Sequence, residues 1–80
     1  MTKEETYVRL NKVFQDVFDD NSITVSDTTT AKDIENWDSL EHIQLIVAIE
    51  KEFKLKFNMA EIIALKEVGD IVNIILKRGS

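Results

Sequence analysis

The residues with the clearest chemical potential are Asp38 and Ser39, which stand together where a helical pattern begins. A serine at a helix start usually serves as the N-cap, but Asp38 can fill that role here, with Glu41 three residues further on as in a capping box. Ser39 then takes the first helical position, beside free backbone N–H groups and the positive end of the helix dipole. Because a phosphate attached there would be stabilised, Ser39 is a candidate modification site.

His42 is the only histidine and the next candidate for chemistry. No serine or cysteine nucleophile is expected within a cleft beside it, so a general-base role has no partner. Its position on a helical wheel groups it with Leu45 and Ile46. The pattern therefore favours a structural, partly buried histidine.

A group of aspartates in the first half of the chain resembles a calcium site only in its charge. The twelve-residue EF-hand loop, with its central glycine and terminal glutamate, is absent. We predict a solvated acidic face and no metal site at these residues: Asp16, Asp19, Asp20, Asp27 and Asp33.

Length and composition limit the possible functions. The chain has 80 residues, no cysteine, no proline and two glycines, which predicts one domain over residues 1–80 without disulfides or cysteine-ligated zinc. A domain this small has little volume for a ligand cleft, so we predict that it is not an enzyme. Fifteen acidic residues against ten basic ones give a net charge of −5, which argues against nucleic acid as a partner.

The hydropathy of the chain predicts no association with membranes. The longest apolar run, residues 45–49, is far too short to span a bilayer. The first five residues are polar and acidic, unlike those of a signal peptide. We therefore expect a complete, cytoplasmic protein.

Helical periodicity predicts three main helices and one short helix. Apolar residues recur at three- and four-residue spacing over residues 3–18, where Thr2 and Glu5 form a capping box, and over residues 38–53. Asn58 can cap a short helix over residues 59–65, and residues 66–69 break the pattern before a last helix. That helix carries these apolar residues: Val68, Ile71, Val72, Ile74, Ile75 and Leu76.

Residues 21–37 are predicted to form a long ordered loop between the first two helices. Ile23 and Val25 alternate with polar residues, but no second strand pattern exists to pair with them, so we predict no sheet. The residues expected to attach the loop to the core are Ile23, Val25, Ala31, Ile34 and Trp37. The predicted fold class is all-α, a small four-helix bundle.

The helix over residues 38–53 has two apolar sides. One carries His42 with residues expected in the core, namely Leu45, Ile46, Ile49 and Phe53. The other carries Leu40, Ile43 and Val47, nearly opposite the first. This second side is either a surface for partners or cargo, or is buried between neighbouring helices, and the pattern alone leaves both open.

The segment Asn36-Trp37-Asp38-Ser39-Leu40, at the start of a helix and after a long loop, resembles the acyl and peptidyl carrier protein family. The resemblance extends over nearly the whole chain. It includes the acids that end the first helix and three further segments: Asp33-Ile34, residues 43–53, and Val68-Gly69-Asp70.

The resemblance implies a cofactor and a set of partners. A phosphopantetheinyl transferase would attach 4′-phosphopantetheine from coenzyme A to Ser39 through a phosphodiester, and Asp38 would help to position the magnesium of that enzyme. The terminal thiol would carry acyl or aminoacyl thioesters between a loading ligase and the enzymes of a fatty acid, polyketide or other specialised pathway. The expected docking residues are Leu40, Glu41, Gln44, Val47, Glu50 and Lys51. The protein is expected to be a monomer.

Three residues depart from the pattern of fatty acid carriers. Trp37 stands where those carriers usually have a small residue, and this Trp-Asp-Ser-Leu arrangement resembles free-standing carriers of specialised pathways, including those that carry an amino acid such as alanine. Gln44 and Lys51 replace positions that are commonly acidic, so we expect different partner enzymes.

Two other readings compete with the carrier function. The chain could be an unmodified helical interaction module that binds a partner helix through Leu40, Ile43 and Val47. A helix-turn-helix DNA binder is less consistent with the sequence, because its basic residues are scattered. A cargo cavity formed by residues 59 and 62–65 with Phe53 and Ile71 is also open, since ordinary core packing explains these residues equally well.

Overall fold

Four helices account for most of the computed structural model, which describes residues 1–78. They are α1 (Lys3–Val17), α2 (Ser39–Phe53), α3 (Met59–Ala64) and α4 (Val68–Arg78). Residues 1–78 contain no strand, and a long loop joins α1 to α2. The prediction of an all-α bundle with three main helices and one short one is confirmed.

Local hydrogen bonds at the helix ends explain where α1 and α3 begin and end. The Thr2 hydroxyl accepts from the Glu5 N–H at 3.1 Å, and the Glu5 carboxylate accepts from the Thr2 N–H at 3.1 Å, which completes the predicted capping box. Asn58 caps α3 through the same reciprocal arrangement. Each helix ends one residue before the predicted boundary, because Phe18 and Leu65 act as C-caps.

An interruption separates α3 from α4 as predicted, but it covers residues 65–67 rather than 66–69. The helix begins at Val68, so Gly69 lies in its first turn. The Asp70 carboxylate accepts from the backbone N–H groups of Lys66 at 3.0 Å and Glu67 at 3.1 Å, and it thereby satisfies free donors before the helix. The Asp70 carboxylate therefore supports a helix start at Val68, although glycine is a poor helix former.

Gly69 is required by a close contact between α4 and the long loop. Its N–H donates to the backbone oxygen of Asp27 at 2.9 Å, and the Val68 N–H donates to that of Thr29 at 2.9 Å. A Cβ on residue 69 would lie 2.8 Å from the Asp27 oxygen, which is closer than van der Waals contact allows. The absence of a side chain therefore lets the loop bond directly to the helix start.

The long loop is ordered by contacts with α1 as well as with α4. The Asn11 amide oxygen accepts from the Val25 N–H at 2.7 Å, and the Gln15 side chain donates to the Ile23 oxygen at 2.9 Å. Val25 and Ile34 are buried, as predicted, and Ile23 and Trp37 are half-buried. Ala31, which was expected in the core, is exposed because it lies in a turn at the surface.

One apolar core joins the main helices, the loop and the connection that follows α2. Leu10 and Phe14 of α1 are fully buried against α2 and α4. The buried apolar residues of the core are Leu10, Val13, Phe14, Val25, Ile34, Leu45, Ile46, Ile49, Phe53, Phe57, Val68, Ile71, Val72 and Ile75. Within residues 1–78, none of the helices has the length and apolar character needed to cross a membrane.

Candidate functional site

The amino-terminal end of α2 is built by Asp38. Its backbone is extended, and its carboxylate accepts from the Glu41 N–H at 2.8 Å, which makes Asp38 the N-cap. The expected return bond from the Glu41 side chain does not form, because the Asp38 N–H donates to the Asn36 backbone oxygen at 3.0 Å instead. The cap is therefore half of a capping box.

Ser39 is the first residue of α2 and is exposed to solvent. Asp38, rather than Ser39, makes the cap hydrogen bond. The Ser39 hydroxyl thus stands at the positive end of the helix dipole with neighbouring N–H groups that have no partner within the helix. This is a favourable position for a covalently attached phosphate.

Trp37 fixes the backbone immediately before the cap. Its ring meets Phe14 edge-on at a centroid distance of 5.4 Å and packs obliquely on Phe18 at 6.0 Å. Asn36, just before it, has a left-handed backbone with φ of 72°, which turns the chain into α2. Packing on α1 therefore determines the direction in which Asp38 and Ser39 enter the helix.

His42 forms a pair with Trp37 that the sequence did not reveal. The indole N–H donates to His42 Nδ1 at 3.1 Å, and the two rings stack with centroids 6.0 Å apart and planes 20° apart. His42 is half-buried, in agreement with the predicted structural role. The two residues are five positions apart in the sequence, on either side of the N-cap Asp38. This spacing brings the rings together because the chain turns into the helix between them.

A groove of about 560 Å³ lies beside Ser39. It runs between the start of α2 and helix α3. Its walls are mostly apolar, and its lining residues are Ala31, Trp37, Asp38, Ser39, His42, Ile43, Met59, Ile62, Ile63 and Leu65. A flexible arm linked through a phosphate on Ser39 fits this arrangement, because it would begin at the helix N-terminus and could lie along the apolar walls.

The predicted cavity formed by residues 59 and 62–65 with Phe53 and Ile71 is only partly present. Met59, Ile62, Ile63 and Leu65 line the groove, so the short helix supplies one of its walls. Phe53 and Ile71 do not line the groove but belong to the buried core.

The second apolar side of α2 is exposed. Leu40, Ile43 and Val47 have exposed fractions of 66%, 49% and 44%. Of the two interpretations, burial between neighbouring helices is therefore wrong. Gln44 and Lys51 are exposed on the same helix, so α2 presents a surface beside Ser39 that is apolar and polar rather than strongly acidic.

The two glutamates expected in the docking surface are less available than the sequence indicated. Glu41 and Glu50 are both half-buried. A carboxylate oxygen of Glu50 accepts from the Phe57 N–H at 2.9 Å, so this side chain holds the connection between α2 and α3. Of the six residues predicted for docking, the exposed ones are Leu40, Gln44, Val47 and Lys51.

The acidic residues of the first half of the chain are dispersed. Asp27 pairs with Lys3 at 2.8 Å and accepts from the Tyr7 hydroxyl, which lowers the pKa of Asp27. The Ser22 hydroxyl and N–H lower the pKa of Asp20. No group of three or more histidine, cysteine or acidic side chains in the described part of the chain is arranged to hold a metal ion.

Comparison with known proteins identifies a family and similar solved structures. Residues 9–75 match the family model described as "Phosphopantetheine attachment site". The fold is similar to the solution NMR structure of a holo acyl carrier protein from Geobacter metallireducens, with a TM-score of 0.85 and 44% sequence identity. That match covers 91% of this chain and 84% of the other. No curated protein matches the sequence.

Proposed function

The chain belongs to the phosphopantetheine-binding family of acyl carrier proteins, and on this premise we propose that Ser39 is the residue that bears the cofactor. Proteins of this family are carriers rather than enzymes, and they hold 4′-phosphopantetheine covalently. The chain is therefore a carrier protein with an attached 4′-phosphopantetheine. The residue of attachment, the cargo and the pathway are parts of the proposal.

The observation that carries the proposal is the separation of roles between Asp38 and Ser39. Asp38 makes the cap bond to the Glu41 N–H, so the exposed Ser39 hydroxyl is available for a phosphodiester. A phosphate on Ser39 Oγ would lie beside unpaired backbone N–H groups and the helix dipole. Attachment at this residue would leave the cap of α2 intact.

When bound, 4′-phosphopantetheine supplies a terminal thiol that holds an acyl or aminoacyl group as a thioester. This chain has no cysteine of its own, so the cofactor would provide its only thiol. The residues of this chain would orient the arm: Ser39 fixes one end, and the apolar walls of the groove offer a surface along which it can lie.

Asp38 is proposed to act in the modification reaction as well as in the helix cap. One carboxylate oxygen accepts the cap bond, and the side chain is exposed. Its negative charge, next to the Ser39 hydroxyl, could help to position a magnesium ion of the transferase. The charge and the cap can be separated by mutation, as described in the Discussion.

The proposed docking surface is the part of α2 that includes Leu40, Glu41, Gln44, Val47, Glu50 and Lys51. Its exposed members are Leu40, Gln44, Val47 and Lys51, so it combines two apolar side chains with an amide and a positive charge. The proposed partners are a phosphopantetheinyl transferase, a ligase that loads an acyl or aminoacyl group, and biosynthetic enzymes. Gln44, Lys51 and the Trp-Asp-Ser-Leu segment favour a specialised pathway, and we propose a cytoplasmic monomer.

The test is intact-protein mass spectrometry of unmodified protein incubated with coenzyme A, magnesium and a broad-specificity phosphopantetheinyl transferase. We expect one phosphopantetheine adduct on the wild type and none on Ser39→Ala. A known carrier modified in parallel serves as the positive control. An adduct on Ser39→Ala would contradict the assignment of the residue.

The alternative of a helical interaction module that is never modified is wrong, because the family to which the chain belongs holds 4′-phosphopantetheine covalently. The exposed fractions of Leu40, Ile43 and Val47 belong instead to the surface of a carrier, on which three large apolar side chains of one helix can bind a partner.

A further inference from the structure

Ser39 and His42 lie on the same side of α2, one helical turn apart, and both line the groove. In an α-helix, residues three positions apart have Cβ atoms about 5–6 Å from each other, and a side chain covers the turn that precedes its own residue. The bond from Trp37, which stands before the helix, shows that the His42 ring does reach back toward the helix start. The imidazole therefore lies over the first turn of α2, where Ser39 is located.

The hydrogen bond with Trp37 determines which imidazole nitrogen of His42 carries the proton. The indole nitrogen can only donate, so His42 Nδ1, 3.1 Å away, must accept through its lone pair. A neutral imidazole has one N–H, which must then be on Nε2. Contacts of the indole ring with Phe14 at 5.4 Å and Phe18 at 6.0 Å keep the donor in place. Trp37 thus leaves His42 with a single free donor, the Nε2–H.

The Nε2–H donor has no hydrogen-bond partner within residues 1–78. Every fully buried side-chain nitrogen or oxygen in this part of the chain has a partner, so Nε2 must be open to solvent. The open spaces that His42 lines are the groove and a small pocket of about 60 Å³ beside it, and of these Ser39 lines only the groove. His42 consequently offers an unused N–H donor one turn from the proposed attachment residue.

We propose that His42 Nε2 binds the phosphodiester of the arm attached at Ser39, and that Trp37 is a positioning residue that holds the imidazole in the tautomer able to donate this bond. The proposal rests on attachment of the arm at Ser39. It deepens the proposed function, because it assigns a binding residue for the cofactor beyond the residue of attachment. The phosphodiester is anionic, so the bond is charge-assisted. It would add a side-chain donor to the backbone N–H groups of the first turn.

A bond from His42 would give the arm a preferred direction. A phosphate held only through Ser39 Oγ can rotate among the staggered positions of the serine side chain. The bond would select the position on the α3 side of α2, because His42 lines the groove there together with Met59 and Ile62. The arm would therefore leave Ser39 toward the groove rather than toward the exposed face that includes Leu40.

The first test compares unmodified and modified wild type, so it needs no variant. Protein labelled with ¹⁵N is modified with coenzyme A and the transferase, intact mass verifies the adduct, and the imidazole nitrogens of His42 are observed by long-range proton–nitrogen correlation in mildly alkaline buffer. We expect the proton on Nε2 in both forms, and its exchange with water slowed at least about tenfold by the modification. A proton on Nδ1, or equal exchange rates in the two forms, would overturn the proposal.

The second test follows the phosphodiester itself by phosphorus NMR of the modified protein. His42→Phe keeps an aromatic ring but has no donor, so its phosphorus resonance should differ from that of the wild type. His42→Gln is the matched control, because the glutamine oxygen can accept from the Trp37 indole while its amide N–H donates to the phosphate. We expect His42→Gln to resemble the wild type, and circular dichroism checks that both variants are folded. The same phosphorus resonance in wild type and His42→Phe would overturn the bond.

Trp37→Phe tests the positioning role of the indole. Phenylalanine keeps an aromatic side chain against α1 but removes the N–H that fixes the imidazole, so the proton of His42 should distribute over both nitrogens. In the modified protein we expect the Nε2 proton to exchange with water faster than in the wild type. An unchanged tautomer and unchanged exchange in Trp37→Phe would overturn the role of Trp37.

The outcomes separate this inference from the proposed function. Failure of the transferase to modify folded wild type, or an adduct on Ser39→Ala, would overturn the proposed function and the inference with it. Normal modification of Ser39 with no effect on the His42 imidazole would overturn the inference alone.

Discussion

At the scale of single residues, adjacent side chains of the site have different roles. Asp38 supplies the hydrogen bond that begins α2, and Ser39 supplies an exposed hydroxyl at the first helical position. Trp37 fixes the backbone before them through its contacts with α1. Because each residue has a different task, single substitutions should separate the tasks experimentally.

Ser39→Ala should remove the modification without changing the stability of the fold. The Ser39 side chain is exposed and does not make the cap bond, so the free energy of unfolding should change by less than about 0.5 kcal/mol. Urea unfolding followed by circular dichroism measures the stability, and mass spectrometry measures the loading. A loss of stability of several kcal/mol would contradict this division of roles.

Asp38→Ala and Asp38→Asn should have different effects. Alanine removes the cap, so we expect a loss of about 1 kcal/mol in the free energy of unfolding and slower modification. Asparagine is a good N-cap without the charge, so stability should stay near that of the wild type while modification is slowed. The rate of adduct formation with each variant is the measurement, and a normal rate for Asp38→Asn would remove the proposed role of the charge.

At the scale of elements, the bundle orients the site by attaching the long loop to α1 and α4. Asn11 and Gln15 of α1 bond to the loop backbone, and Val68 and Gly69 of α4 bond to it from the other side. The loop then delivers Trp37 to the start of α2. Backbone hydrogen bonds thus link the loop that positions Ser39 to α4, a helix that contributes no residue to the groove.

Gly69→Ala should weaken the contact between α4 and the loop. The added Cβ would lie 2.8 Å from the backbone oxygen of Asp27, so one of the two segments must move. We expect a loss of about 1–3 kcal/mol in the free energy of unfolding, although alanine is the better helix former. Asn73→Ala, at an exposed position of α4, is the matched control and should be neutral or slightly stabilising. Equal stability of the two variants in urea unfolding would contradict the close contact.

At the scale of the whole molecule, carboxylates stabilise the contacts between elements. Hydrogen bonds from Lys3 and Tyr7 lower the pKa of Asp27 and join α1 to the loop. The Arg78 guanidinium lowers the pKa of Glu61 and joins α4 to α3. The same carboxylates therefore contribute to stability only while they are ionised.

Acid should destabilise the protein. In the unfolded chain Asp27 and Glu61 return to ordinary pKa values of 3.8 and 4.5, which lie above their values in the fold. The unfolded state thus binds protons first as the pH falls, and the stabilisation, fully present above about pH 5, is lost progressively below it. Urea unfolding from pH 7 to pH 2.5 should show this decline, with a smaller decline for Asp27→Asn. A free energy of unfolding independent of pH over this range would contradict the prediction.

The sequence by itself determined the features that arise within a few residues of the chain. The caps at Thr2, Asp38 and Asn58 each join groups three residues apart, so the positions of the helix starts and of Ser39 were predictable. The core stripe of α2 followed from helical periodicity in the same way. These features depend on local geometry, which is the same in any helix.

Only the tertiary structure decided which of the remaining groups meet. It left Leu40, Ile43 and Val47 exposed, and it placed Gly69 inside α4 against the loop. It also formed the Trp37–His42 pair and the groove beside Ser39. Burial and contact between elements depend on how whole faces pack together, and a helical pattern indicates that a face is apolar without indicating what, if anything, covers it.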